Sequence, residues 1–207
     1  MNDGQPRNAR RRRSCPGPGL HPRPGADALR AATARTLPDV AGPGLRILFV
    51  GINPGLYSGA TGHHFARPGN RFWPTLHAAG LTPRRLSPCE ERELLRYGLG
   101  VTNLVARTTA SAAELRADEL VRGRRRVARL AARLRPAVVA FLGLSTFRVA
   151  FDRPAARVGP QPEGLAGARV WLLPNPSGLN AHWQAPALAA AFRALAAVAG
   201  RARTLPG

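Results

Sequence analysis

The pentapeptide Gly51-Ile52-Asn53-Pro54-Gly55 closes a strongly apolar run, and it constrains the fold of this chain more than any other stretch. The run covers residues 45–52 (LRILFVGI), and Arg46 is its only polar residue. A continuous run of this kind is typical of a buried strand in a parallel sheet. Because ligands of open α/β sheets bind beyond the carboxyl ends of the strands, Asn53 is the first candidate functional residue. A plain tight turn would also use Asn, Pro and Gly, so this alternative stays open.

Apolar runs and helical patterns alternate through the rest of the chain. Strands are predicted over 100–105, 137–143 and 169–174, and helices over 70–80, 88–96, 111–135 and 185–199. Ser111 and Glu114 form a capping-box signature at the start of the 111–135 helix. The alternation predicts an α/β fold, a three-layer α/β/α domain with a short, mainly parallel central sheet. We expect this domain to cover residues 37–200.

The first 36 residues differ from the rest in composition. They contain four consecutive arginines, Arg10 to Arg13, followed by a cluster of Pro and Gly over residues 16–25. Such a segment buries too little apolar surface to offset its chain entropy. We therefore predict a disordered basic arm over 1–36 and a short tail over 201–207. The arm either contacts phosphates or is a solvated extension.

The chain is strongly basic, with 31 Lys and Arg against 11 Asp and Glu and a formal net charge of +20 at pH 7. Every basic residue is arginine, because the sequence contains no lysine. This excess favours a polyanionic partner, either nucleic acid or an anionic membrane surface. The two cysteines cannot form a cysteine-based metal site, and we expect neither a metal nor a cofactor. Since no secretory signal or membrane span is recognisable, we predict a cytoplasmic protein.

The sequence excludes several familiar kinds of site. The Gly51–Gly55 segment has neither the Gly-Lys-Ser/Thr ending of a P-loop nor the spacing of a dinucleotide fingerprint. Neither the G-x-S-x-G nor the H-E-x-x-H motif occurs. What remains is an aromatic ring and several amides at or near the ends of predicted strands: Asn53, Phe65, Asn103 and Asn175. A ring for stacking and amides with paired donors and acceptors suit a nucleobase.

Five motifs, in order along the chain, resemble those of mismatch-specific uracil/thymine DNA glycosylases in the uracil-DNA glycosylase superfamily. They are GINPGL at 51–56, GHHF at 62–65, NRFW at 70–73, GVTNLV at 100–105 and NPSGLN at 175–180. The resemblance covers roughly residues 37–200 and implies a uracil-DNA glycosylase-like catalytic domain. It implies a monofunctional enzyme that flips uracil, usually opposite guanine, out of duplex DNA and hydrolyses its N-glycosidic bond. The abasic site that remains is then handled by base excision repair, and the protein is expected to act as a nucleoid-associated monomer.

The resemblance also implies roles for individual residues. Asn53 matches the catalytic amide that holds the attacking water. Base-pocket residues are Ile52 as a backbone contact, Phe65 as the stacking ring, Asn103 as the pocket amide and Asn175 as a further lining residue. Gly178, Leu179 and Asn180 match the DNA-intercalating loop, which fills the gap in the stack and reads the widowed guanine. Asn180-Ala181-His182 replaces the Ser-Arg pair that some members carry after the leucine, a difference that bears on the requirement for guanine.

Two other functions compete with mismatch-specific uracil excision. One is a non-catalytic nucleic-acid-binding module that keeps the fold and the charge. The other is a sister glycosylase that removes a deaminated purine such as hypoxanthine. The paired amides of Asn53 and Asn103 favour a pyrimidine over a purine.

Overall fold

The computed structural model describes residues 23–201, and its centre is a single five-stranded sheet. The strands are β1 Ile47–Gly51, β2 Leu99–Asn103, β3 Val138–Leu142, β4 Gly159–Leu165 and β5 Ala168–Leu173. They lie in the order β2-β1-β3-β5-β4, and only β4 runs antiparallel to its neighbour. The predicted α/β class with a mainly parallel central sheet is therefore confirmed.

Helices cover both faces of the sheet. They are α1 Ala26–Ala31, α2 Leu56–Thr61, α3 Phe72–Ala78, α4 Ala117–Leu134, α5 Leu144–Phe151 and α6 Ala185–Arg201, with 3-10 helices at Pro88–Tyr97 and Ala112–Glu114. None of the described helices combines the length and the hydropathy needed to cross a membrane.

Alternating side chains of the strands divide the hydrophobic core into two layers. Ile47 and Phe49 of β1 face the layer that contains α3 and α6, whereas Leu48 and Val50 face the layer that contains α4 and α5. In the first layer the Phe49 ring lies 5.5 Å from Phe72 of α3 and 5.8 Å from Phe192 of α6, between ring centroids. These fully buried contacts fix α3, and with it the loop that precedes α3, to the centre of the sheet.

The capping box at Ser111 does not begin the long helix that was predicted from it. The Ser111 backbone N–H donates to Glu114 Oε1 at 2.8 Å, but the box closes only the 3-10 helix Ala112–Glu114. Leu115 then adopts an extended backbone, with ψ at 132°, which interrupts the helical path. The main helix α4 starts at Ala117, where the Arg116 backbone N–H donates to Glu119 Oε2 at 3.0 Å.

The structure also differs from the predicted disordered arm, in its last third. Residues 26–31 form α1, and Ala32 is fully buried. The hydroxyl of Thr108 donates to the carbonyl of Ala32, and the backbone N–H of Ala34 donates to Thr108 O at 3.2 Å. Alanines in this stretch favour a helix. The prediction of disorder follows instead from the neighbouring Pro and Gly residues. The rest of the predicted arm, residues 1–22, and the predicted tail after residue 201 lie outside the described residues.

Candidate active site

The amides predicted from the sequence lie at the carboxyl edge of two neighbouring strands. Gly51 at the end of β1 is paired in register with Asn103 at the end of β2. The pairing continues beyond the strands, because the backbone N–H groups of Leu104 and Val105 donate to Gly51 O at 2.7 Å and to Ile52 O at 2.9 Å. These bonds fix the backbone before Asn53, and the Thr109 backbone N–H, which donates to Pro54 O at 3.2 Å, fixes the backbone after it.

The side-chain amide of Asn53 is held in a single orientation. Its Nδ2 group donates to Thr109 Oγ1 at 2.6 Å, to Pro54 O at 3.0 Å and to Arg107 O at 3.4 Å. The Thr109 hydroxyl itself donates to Ser111 O at 2.8 Å, so its oxygen must act as an acceptor toward Asn53. None of the hydrogen bonds that Asn53 makes to described residues uses Oδ1. The half-buried side chain therefore keeps one acceptor for a ligand.

The same surroundings specify an amide rather than a carboxylate at residue 53. Two of the three atoms around Nδ2 are backbone carbonyl oxygens, which only accept hydrogen bonds. An aspartate would place an oxygen against both of them. The site is thus built to orient an acceptor and not to hold a negative charge.

Arg107 supplies one of these carbonyls, and an ion pair outside the site holds its side chain in place. Arg107 donates to Glu119 through Nε at 2.7 Å and through Nη2 at 2.9 Å, which makes the contact bidentate. The hydrogen bond from Arg107, followed by that from the Arg116 backbone, lowers the pKa of Glu119 from 4.5 to about 2. A depressed carboxyl pKa means that the pair is intact above pH 4.5 and is lost only as the pH falls through about 2. Neutral pH therefore leaves this support of Asn53 in place.

The Phe65 ring lies at the same edge of the sheet. Its backbone is left-handed, with φ at 53°, a conformation that costs a non-glycine residue about 1–2 kcal/mol. The half-buried ring stacks on the fully buried Phe72, with centroids 4.1 Å apart and planes inclined by 25°. Packing against α3 thus maintains a backbone that the sequence alone disfavours.

A buried histidine fixes the orientation of Asn103. His64 Nε2 lies 3.1 Å from the carbonyl oxygen of Pro38, which can only accept, so the proton of a neutral ring belongs on Nε2. The bare Nδ1 then accepts from Asn103 Nδ2 at 3.2 Å. The backbone N–H of His64 donates to Glu91 Oε2 at 2.8 Å, which holds the segment before Phe65. Asn103 is only 4% exposed, so this orientation is well defined.

Gly51 brings the predicted pocket residues together. A Cβ atom at Gly51 would lie 2.6 Å from Asn103 Oδ1 and 3.3 Å from Phe65 Cζ. Both side chains therefore touch the space that the missing Gly51 side chain leaves. Ile52 lies on the opposite side, where its Cδ1 would be 3.1 Å and Asn175 Cβ 3.9 Å from a Cβ at Gly143.

The loop after β5 is organised by its own side chains. Asn175 Oδ1 accepts from the Ser177 backbone N–H at 3.0 Å, and Asn180 Nδ2 donates to Asn175 O at 2.9 Å. Both asparagines thus shape the loop. Leu179 at its tip is 75% exposed, far more than any other large apolar residue described. Gly178 lies against the 65–71 segment, since a Cβ there would be 2.6 Å from Gly69 O.

The structure joins these residues into two groups. Asn53 is fixed by the 107–109 segment, whereas Asn103, Phe65 and the loop carrying Leu179 meet around the 64–71 segment. Sequence reasoning missed the supporting residues Thr109 and His64, although His64 belongs to the GHHF motif. Within residues 23–201, no group of three or more His, Cys, Asp or Glu side chains could hold a metal ion.

Comparison with known proteins assigns the chain to a family. The sequence matches the family described as "Uracil DNA glycosylase superfamily" over residues 38–197. The fold is similar to the solution NMR structure of a Methanosarcina acetivorans protein described as a candidate uracil DNA glycosylase. That likeness has a TM-score of 0.55 at 19% sequence identity and covers 79% of this chain and 98% of the other. The chain belongs to the uracil DNA glycosylase superfamily.

Proposed function

We propose that this protein is a monofunctional, mismatch-specific DNA glycosylase that removes uracil paired with guanine. The observation that carries the proposal is the Asn53 amide, whose Nδ2 donates to three acceptors while Oδ1 accepts no hydrogen bond from a described residue. Membership of the superfamily supports glycosylase chemistry on DNA, and the net charge of +20 favours a polyanionic substrate.

In this mechanism the Asn53 Oδ1 accepts a hydrogen bond from a water molecule and directs its oxygen toward C1′ of the deoxyribose. The C1′–N1 bond breaks, the sugar gains oxocarbenium character and uracil leaves as an anion. Water then adds at C1′ and loses its proton to solvent, which leaves an abasic site. An amide orients this water without deprotonating it, so positioning supplies the rate gain and a slow chemical step is expected.

Phe65 and Asn103 are proposed to recognise the extruded base. The Phe65 ring offers a face for stacking, and Asn103 offers an acceptor and a donor that match N3–H and a carbonyl oxygen of uracil. Ile52 contributes backbone contact, and Asn175 shapes the adjoining loop. Extrusion costs a few kcal/mol and least for a mismatched base, which favours G·U over a normal pair.

The reaction is proposed to stop at the abasic site. Cleavage of the strand by β-elimination normally requires an amine that forms a Schiff base. The sequence contains no lysine, so no side-chain amine is present anywhere in the chain. The strand should break only when alkali is added.

A panel of duplexes tests the proposal and separates it from its competitors. Each duplex carries uracil, thymine or hypoxanthine opposite guanine, or uracil opposite adenine, and abasic sites are revealed by alkaline cleavage under enzyme excess. We expect the fastest cleavage with G·U. Binding without alkali-labile sites would indicate a non-catalytic module, and fastest cleavage with hypoxanthine would indicate a purine-specific sister enzyme.

Thr109→Val should reduce excision without preventing DNA binding. Valine keeps the shape but removes the oxygen that accepts from Asn53 at 2.6 Å, so the amide loses its shortest bond. Loss of one positioning hydrogen bond of about 1–1.5 kcal/mol corresponds to roughly tenfold in rate. Single-turnover excision of uracil from a G·U duplex measures it.

Thr108→Val is the matched control for that substitution. Thr108 is equally buried, and its hydroxyl donates to Ala32 O rather than to Asn53. Both variants should lose similar thermal stability, but only Thr109→Val should lose excision. Equal excision rates in the two variants would show that Thr109 does not act through Asn53.

A further inference from the structure

The 176–183 loop carries the exposed Leu179. Few interactions of its own hold this loop against the domain. Its local bonds close a turn, because the Asn180 backbone N–H donates to Ser177 O at 3.0 Å and Asn180 Nδ2 donates to the carbonyl of the flanking Asn175 at 2.9 Å. These bonds set the shape of the loop, but they do not attach it to the body of the domain. With Leu179 75% exposed, packing of that side chain does not attach it either.

Apart from the flanking residues Asn175 and Gln184, Arg71 makes every hydrogen bond that joins the loop to the other described residues. The guanidinium of Arg71 donates through Nη2 to Ser177 O at 2.7 Å and to Asn180 O at 2.8 Å, and through Nη1 to Trp183 O. The Arg71 backbone N–H donates to Pro176 O at 2.9 Å. Four carbonyl groups, spread from the first to the last residue of the 176–183 loop, therefore accept hydrogen bonds from a single residue.

The arrangement is specific to arginine. A planar guanidinium can direct several N–H groups to carbonyls in different directions, which a lysine ammonium on a flexible stem cannot reproduce. Hydrogen bonds from a charged donor are also stronger than those between neutral groups. Among the described ion pairs none includes Arg71, so its charge serves the carbonyl ends of the loop rather than a carboxylate.

Arg71 also links the loop to the candidate base pocket. It precedes α3, whose Phe72 supports the Phe65 ring at 4.1 Å. Close approach of Gly178 to Gly69 O places the loop on the same 65–71 segment. The positions of the ring and of Leu179 are thus fixed relative to each other through six consecutive residues after Phe65.

We propose that Arg71 is a positioning residue that presents Leu179 for insertion into the DNA stack. The inference rests on the proposed function and deepens it. A loop that is ordered before binding does not lose that conformational freedom on binding, so more of the interaction energy is left to drive extrusion of the base. Arg71 acts only through the loop and does not touch the reacting atoms.

The test measures base extrusion separately from bond cleavage. The duplex carries a 2′-fluoro uracil nucleotide opposite guanine, in which the fluorine destabilises the oxocarbenium ion and so prevents cleavage. A neighbouring 2-aminopurine reports unstacking by its fluorescence. The full chain is compared with Arg71→Met, Arg71→Lys, Leu179→Ala and the Arg71→Met/Leu179→Ala double variant.

We expect Arg71→Met and Leu179→Ala each to lower the extrusion equilibrium by about tenfold, and the double variant by little more than either alone. Arg71→Lys should recover a minor part. Arg193→Met is the matched control, because Arg193 also donates to a carbonyl, Ala78 O at 3.1 Å, but on the surface of α6. It should extrude the base as the unaltered protein does.

Four results would count against the inference or its basis. Normal extrusion by Arg71→Met, or a double variant that loses the full product of the two effects, about a hundredfold, would refute the positioning role. An equal loss of extrusion with Arg193→Met would mean that the effect of Arg71→Met comes from the change in overall charge. Absence of both a fluorescence change and abasic sites with the unaltered protein would instead refute the proposed function. Circular dichroism and thermal unfolding of each variant separate these results from failure to fold.

Discussion

Asn53→Ala should lower single-turnover excision of uracil from a G·U duplex by about two to four orders of magnitude. Alanine removes the oxygen that is proposed to orient the water, together with the donor that meets Thr109, Pro54 and Arg107. Terms of this kind amount to about 3–5 kcal/mol when one preorganised group is lost. Rapid-quench measurement at enzyme excess gives the rate of the chemical step directly.

Binding provides the control for this variant. Asn53 is neutral, and its substitution leaves Phe65, Leu179 and the basic surface unchanged, so affinity for the G·U duplex should change by no more than about threefold. A parallel loss of affinity and rate would mean that Asn53 serves general binding. In that case the amide is a contact to DNA and not the group that positions water.

Gly51→Ala should have the second largest effect. The new Cβ would lie 2.6 Å from Asn103 Oδ1 and 3.3 Å from Phe65 Cζ. The backbone cannot withdraw, because Gly51 lies in β1 and accepts from the Leu104 N–H at 2.7 Å. Asn103 must therefore leave His64, or the ring must leave Phe72. We expect a stability loss of about 1–3 kcal/mol and a loss of excision of at least about a hundredfold.

Gly42→Ala is the matched control, since a Cβ there meets only Leu95 Cδ2, at 4.0 Å. It should retain excision and stability close to those of the unaltered protein. Thermal unfolding and single-turnover excision are measured on both variants. If Gly51→Ala excises uracil at the normal rate, the space beside Asn103 and Phe65 is not where the base binds.

The sequence predicts the centre of this fold because the informative residues are local. The apolar run that ends at Gly51 specifies a buried parallel strand, and the polar residue that follows such a strand lies at the ligand-binding edge of the sheet. Register then follows from the parallel pairing of β1 with β2, which brings Asn103 opposite Gly51. The placement of Asn53 and Asn103 at this edge of the sheet was therefore predictable from strand ends alone.

The supporting residues were not predictable, because they act across long separations in the chain. Thr109 and Asn53 are 56 residues apart, His64 and Asn103 are 39 apart, and Arg71 and Asn180 are 109 apart. No periodicity or capping pattern reports such pairs. The edge strand β4 contains two prolines within GPQPEGL, so its sequence favours a loop over a strand.

Predictions from local sequence patterns were wrong at two places where tertiary structure decides between alternatives. The Ser111–Glu114 box is real, but an extended Leu115 confines it to one 3-10 turn. The segment that forms α1 is attached through Ala32, which follows the helix, is fully buried and accepts a hydrogen bond from the Thr108 hydroxyl, and composition cannot reveal this contact. In both places, packing decided what propensity left open.

The most direct test of the account is release of uracil from a G·U duplex by the unaltered protein and by Asn53→Ala in the same assay. Enzyme is in excess, free uracil is quantified, and the strand is examined before and after alkali. We predict one free uracil per duplex with the unaltered protein, a strand that breaks only after alkali, and uracil release slower by at least about a hundredfold with Asn53→Ala. Release by Asn53→Ala within a fewfold of the normal rate, or no release by the unaltered protein, would contradict it.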